Sequence, residues 1–303
     1  MGYFDLQING YAGVDFNADL VTDEEISQVC EALRNDGIDR FLITLITDSI
    51  ERLCQKLARL RALCAADELA RSMVAGFHVE GPFINPMPGY VGAHPPERVT
   101  PATPQLAERL IEAADGWLRL MTLAPECDAE MKTIAALRQA QVTVSAGHCN
   151  PDLETLDQAI ESGLSMVTHL GNGCPVELNR HDNFIQRVLS RRDDLWICLI
   201  PDGKHIPFYA LRNYLDLIGP ERWIATTDAI AAAGLGPGTY SLSGFDVIVD
   251  AEGYARRPGS PNLAGSTVRG HDLVGALREC GLSSAVIDLV YRANVATALN
   301  LAD

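Results

Sequence analysis

Glu80, His148 and His169 each stand where a short apolar run gives way to a loop, and Asp228 ends another such run, Ala-Thr-Thr-Asp. One carboxylate and two imidazoles form a common ligand set for a catalytic zinc ion that keeps an open position for water. Iron, manganese or cobalt would also occupy a Glu-His-His set. A carboxylate at the end of an apolar run is costly to bury without a role. Beside a metal site, Asp228 suits a base that takes a proton from water and returns it to a departing amine. Any one of these residues alone reads as a satisfied polar group or a loop cap. Four of them at the ends of four runs are not explained by packing. Gln7, Asn9, His78, Asp202 and His205 fall at similar places.

Positioning such a set requires a scaffold whose strand ends converge. Eight apolar runs, at 4–8, 40–45, 74–79, 118–123, 142–146, 166–168, 195–200 and 223–226, read as strands. Helical periodicity fills the intervals at 23–35, 50–64, 104–114, 129–139, 152–162 and 208–217. Thr22 supplies an N-cap, and Gly37 and Gly163 follow helices where a left-handed residue is wanted. Repeated strand–helix alternation with near-continuous apolar strands predicts an α/β fold, a parallel (β/α)8 TIM barrel, with catalytic side chains at the C-terminal strand ends. A doubly wound open sheet is the alternative, but no glycine-rich nucleotide loop follows the first strand. Residues 239–257 have strand periodicity and a Glu252-Gly253 turn, which predicts a β-hairpin inserted after strand eight. Helices are expected at 266–280 and 283–298, and residues 1–303 are expected to form one catalytic domain.

Composition narrows the partners. The chain has 303 residues, is 47% hydrophobic and 21% charged, and carries a net charge of −16. Such an acidic surface argues against nucleic acid and anionic membranes, so any phosphate site must be local. No apolar run reaches the roughly 20 residues needed to span a bilayer, and no signal peptide is evident. The eight cysteines show no CxxC pair, which predicts reduced thiols in a cytoplasmic protein.

Several stretches resemble the N-acetylglucosamine-6-phosphate deacetylases of the amidohydrolase superfamily. They are Asp-Leu-Gln-Ile-Asn-Gly (5–10), Gly-Val-Asp-Phe-Asn (13–17), Gly-Phe-His-Val-Glu-Gly-Pro-Phe (76–83) and Gly-Ala-His (92–94). Further on come Ala-Gly-His (146–148), Thr-His-Leu-Gly-Asn (168–172), Asp-Gly-Lys-His (202–205), Thr-Asp-Ala (227–229) and Leu-Ala-Gly-Ser (263–266). The resemblance runs in family order over nearly the whole chain. It implies metal-dependent removal of the N-acetyl group from N-acetylglucosamine 6-phosphate, with the cation on Glu80, His148 and His169 and Asp228 as the base. Many amidohydrolases carry a His-x-His pair on strand one; here it reads Gln7-Ile8-Asn9, and carboxamides bind zinc poorly, so a single divalent cation, zinc first, is expected. Gln7 is expected to line the site or contact the cation through water.

By the same resemblance, His94 polarises the acetamide carbonyl, His205 contacts a sugar hydroxyl, and Asn172 with the backbone at Gly173 holds the phosphate. Arg180 matches the family's phosphate-binding arginine, which reaches a neighbouring subunit's site and implies a homodimer. The family's small β-sandwich, built from both chain ends, is expected to be absent apart from the 239–257 hairpin. Tyr11-Ala12, Val91, Pro86, Pro88 and Gly173-Cys174 depart from the family pattern around the substrate. Competing readings are an amidohydrolase acting on another acylated amine or a cyclic amide, and a non-catalytic sugar-phosphate-binding barrel.

Overall fold

The computed structural model describes residues 2–301. Its eight barrel strands are β1 (Tyr3–Ile8), β2 (Ile38–Ile46), β3 (Val74–Glu80), β4 (Leu118–Leu123), β5 (Thr143–Ala146), β6 (Leu164–Val167), β7 (Trp196–Leu199) and β8 (Trp223–Ala225), paired in parallel in chain order. The ring closes just beyond the ladder, where Ile8 bridges Ala229 in parallel and the Asn9 N–H donates to the Ala229 carbonyl at 2.8 Å. The expected TIM barrel is therefore present, and the open sheet is excluded.

Alternation along the strands sorts the side chains into layers. Leu6, Leu42, Leu120, Met166, Cys198 and Ile224 form one buried cluster with Val295 of the last helix (Asn294–Ala298) and Leu299 just after it. Their sequence neighbours Phe41, Ile43, Met121, Val167 and Ile197 belong to the larger cluster shared with the helices. Burying each such side chain contributes roughly 1.5–3 kcal/mol. Two residues further along the strands the layer turns polar. His78 Nε2 pairs with Thr122 Oγ1 at 2.8 Å, and Thr168 Oγ1 lies 2.7 Å from Thr122 Oγ1 and 2.6 Å from Ser145 Oγ. The next inward position on β3 is Glu80.

Local signals explain most helix boundaries. The helix α1 (Asp23–Asn35) starts on a capping box between Thr22 and Glu25 and buries Ile26, Val29, Cys30 and Leu33. Gly163, at φ 126°, ends the helix Leu153–Ser162 as expected. Three expectations change in detail. The 129–139 helix begins as a one-turn 3₁₀ segment, because Glu130 and Met131 adopt left-handed backbone, and becomes α-helical only at Lys132. The 266–280 helix starts at Gly270, since Ser266 is held as extended backbone bridging Ala229. The inserted region is a three-stranded antiparallel sheet, Gly238–Leu242, Phe245–Val249 and Ala255–Arg256. Its first turn is Ser243-Gly244, both with positive φ as a tight hairpin wants, and Glu252-Gly253 makes the second. Asp15 ties this sheet to the barrel by accepting the Ser243 N–H at 2.7 Å. Among the described residues no helix is long and apolar enough to cross a membrane.

Candidate active site

A cavity of about 380 Å³ opens at the C-terminal ends of the strands, with Asn9, Glu80, His94, His148, His169, His205 and Asp228 in its lining. Glu80 is the last residue of β3 and only 2% exposed. His148, His169 and Asp228 follow the ends of β5, β6 and β8, all three in left-handed backbone with φ of 53°, 30° and 50°. Left-handed backbone is uncommon for residues other than glycine, and clusters of it mark functional sites.

Glu80 is the hub of the cavity. Its Oε1 lies 2.7 Å from His169 Nε2 and 3.3 Å from His148 Nε2, and its Oε2 lies 3.7 Å from His94 Nε2. The three donor atoms of Glu80, His148 and His169 fall within 4.8 Å of one another. His148 shows what this cluster is built to hold. Its Nδ1 lies 2.9 Å from the Tyr90 carbonyl, which can only accept, so Nδ1 carries the proton. In the neutral ring Nε2 then turns a lone pair toward the Glu80 carboxylate. Two such electron-rich atoms repel unless a cation lies between them, and a carbonyl behind a ligating histidine is the usual supporting contact. The donor set therefore fits one divalent cation on Glu80, His148 and His169.

Burial raises the Glu80 carboxyl pKa, but the adjacent imidazoles of His148 and His169 outweigh it and hold Glu80 well below the ordinary range. His169 shows the reverse balance, with burial against its charged form overcome by Glu80, so its pKa is raised. Asp228 is pushed up to about 7 by burial and by the Glu80 charge, while Asn9 Nδ2 donates to its Oδ1 at 2.7 Å. A carboxylate near 7 is poised to exchange protons.

Two further histidines face the cavity with their Nδ1 atoms in opposite hydrogen-bond roles. His94 is 4% exposed, and burial lowers its pKa to about 3, so the ring is neutral. Its Nδ1 meets the backbone N–H and hydroxyl of Thr47. His205 Nδ1 lies 2.8 Å from Asp202 Oδ2, and Asp202 also accepts the backbone N–H groups of Lys204 and His205. His205 therefore donates through Nδ1.

The remaining expected site residues divide. Asn172 and Gly173 line the cavity, and Asn172 Nδ2 also reaches back to the His169 carbonyl at 3.2 Å. Gly173 has a second role, because a Cβ there would stand 2.7 Å from His148 Nδ1 and its φ is 62°. Only glycine lets the loop lie against the imidazole. Gln7 is fully buried and outside the cavity lining; its amide has no hydrogen-bond partner among the described residues, and Asn9 takes the place on the wall. Arg180 is exposed and outside the lining of its own chain's cavity. His78 sits one layer down, in the polar network of the barrel interior. Sequence reasoning missed Thr47, the Tyr90 carbonyl and Asn262, which lines the cavity. A threonine after a strand, a main-chain carbonyl and a loop asparagine carry no pattern that marks them.

No protein-family model matches the chain. An N-acetylglucosamine-6-phosphate deacetylase of Bacillus subtilis is 31% identical over 281 residues, spanning 92% of this chain and 69% of the relative. An N-acetylgalactosamine-6-phosphate deacetylase of a Shewanella species is 32% identical, over 94% of this chain and 70% of its own length. An N-acetyl-D-glucosamine-6-phosphate deacetylase variant of Mycobacterium smegmatis, solved in complex with N-acetyl-D-glucosamine-6-phosphate, superposes with a TM-score of 0.89 at 30% identity. The match covers 99% of this chain and 77% of that one. These matches run through the barrel and its polar strand ends, and the chain belongs to the N-acetylglucosamine-6-phosphate deacetylase family.

Proposed function

We propose that the chain hydrolyses the acetamide of N-acetylglucosamine 6-phosphate, giving acetate and glucosamine 6-phosphate. The observation that carries this reading is the meeting of Glu80, His148 and His169 with Asp228 in one cavity at the mouth of the barrel. A divalent cation held by Glu80, His148 and His169, zinc first, supplies Lewis acidity toward the attacking water and the acetyl carbonyl.

The chain's own residues do the rest. Asp228 accepts a proton from water as the oxygen–carbon bond forms, and returns it to the nitrogen as the carbon–nitrogen bond breaks. Asn9, donating to Asp228 Oδ1, holds that carboxylate in place. His94 donates to the acetyl oxygen as negative charge develops there. His205, fixed by Asp202, contacts a sugar hydroxyl, and Asn172 with the Gly173 backbone holds the phosphate. Arg180 is a fork suited to phosphate, and its exposure outside its own cavity supports a role at the site of a second subunit in a homodimer. Residues 1–303 act as one catalytic barrel that carries the three-stranded sheet.

A second substrate is favoured by the Shewanella relative named for the galactosamine epimer. The test is acetate release from both 6-phosphates and from unphosphorylated N-acetylglucosamine, with added zinc and with a chelator. Metal-dependent turnover of a 6-phosphate alone is expected. Turnover of none of the three by metal-loaded protein would move the reading to another acylated amine.

A further inference from the structure

We propose that Thr47 is a positioning residue that fixes the His94 tautomer, so that Nε2–H, and never a lone pair, faces the cavity. The role rests on the reading that His94 donates to the acetyl oxygen, since only one of the two neutral imidazole tautomers can do so.

The geometry is one-sided. The backbone N–H of Thr47 donates to His94 Nδ1 at 3.3 Å, and Thr47 Oγ1 lies 2.8 Å from the same nitrogen. A backbone hydrogen is fixed in the peptide plane and cannot rotate away. Were Nδ1 protonated, two hydrogens would meet head to head, so Nδ1 must offer its lone pair and the Thr47 hydroxyl must donate as well. The proton then resides on Nε2. That atom is 3.7 Å from Glu80 Oε2, too far for a hydrogen bond, and its N–H is left for a ligand.

Thr47 is itself held. It is fully buried directly after β2, and β-branching restricts its side chain to few rotamers. Opposite it, the residue after Glu80 is Gly81, where a Cβ would stand 2.1 Å from Thr47 Oγ1. The glycine leaves the hydroxyl its place beside the imidazole. The ligand Glu80 and the tautomer lock therefore share one turn of chain.

The test is nitrogen-15 NMR of histidine-labelled, zinc-loaded protein, with His94 assigned by its loss in His94→Gln. The wild type is expected to show a pyridine-like Nδ1 and a pyrrole-like Nε2 at residue 94, and a pyrrole-like Nδ1 at His205 in the same spectrum. A pyrrole-like Nδ1 at His94 overturns the proposal whether or not the protein deacetylates anything. Kinetics supply the second arm. Thr47→Val is expected to lower kcat about tenfold with KM changed less than about twofold, as for one lost orienting hydrogen bond. Thr47→Ser should recover most of the loss, and Thr47→Val should cost nothing further in a His94→Ala background. Equal losses in the presence and absence of the His94 imidazole would reduce Thr47 to a packing residue. Absence of any acetyl-sugar turnover would sink the functional reading while leaving the tautomer measurement standing.

Discussion

The floor and the rim of the cavity are built differently. On the floor, Glu80, His148, His169 and Asp228 are at most 8% exposed and stand at or just past strand ends. The rim, from Asn172 to Arg180, is half-buried to exposed loop with no regular structure of its own, and Val176 within it is 83% exposed. The contrast assigns tasks. A barrel can fix atoms to a few tenths of an ångström where bond making needs it, while a loop can change without disturbing them. Floor residues should therefore govern turnover and metal content, and rim residues recognition.

Perturbing each region separates the two. Asp228→Asn should produce the largest effect, a fall in kcat of about 10³-fold or more with metal content retained, measured by steady-state assay and metal analysis. Equal loss of metal would show that Asp228 belongs to the ligand set instead. Gly173→Ala tests the one place where rim meets floor. Its Cβ would press on His148, so zinc affinity should fall about 10- to 100-fold in competition with a chromophoric chelator. Arg180→Ala should raise KM for the 6-phosphate about tenfold and leave turnover of an unphosphorylated analogue unchanged. An equal effect on both substrates would remove the phosphate role.

The smallest effect lies outside the cavity, at the tie between barrel and inserted sheet. Burial, against the hydrogen bonds from Asn17 and Ser243, raises the Asp15 pKa from 3.8 to about 6. Between these values the folded chain keeps a proton that the unfolded chain has lost, so stability falls as pH rises through the window, by up to about 2 kcal/mol. Asp15→Asn should flatten that slope in urea unfolding between pH 4 and 6, although the overall stability also drops because one backbone N–H loses its acceptor.

Much of this arrangement was legible in the residues. Strand runs, caps and polar strand ends identify the barrel because each is a local pattern with one period. The ligand set was legible because Glu80, His148 and His169 interrupt apolar runs. What escaped depends on three-dimensional approach. The left-handed turn at Glu130 and Met131 that shortens the helix after β4 has no glycine to announce it. The burial of Gln7, in contrast to the cavity-lining Asn9, follows from ring closure at Ile8 and Ala229, a contact across the whole barrel. Thr47 acts through a main-chain N–H and a hydroxyl, and neither carries a sequence pattern that marks it.

The left-handed backbone shared by His148, His169 and Asp228 also bears on how this site can change over generations. Histidine, aspartate, asparagine and glycine tolerate that conformation, while β-branched residues do not. Drift at these positions is thus confined to a short alphabet in which the cheapest replacements, asparagine and glycine, erase the chemistry and spare the fold. A descendant that has lost catalysis should betray itself by those letters at those three positions, on a barrel that still folds.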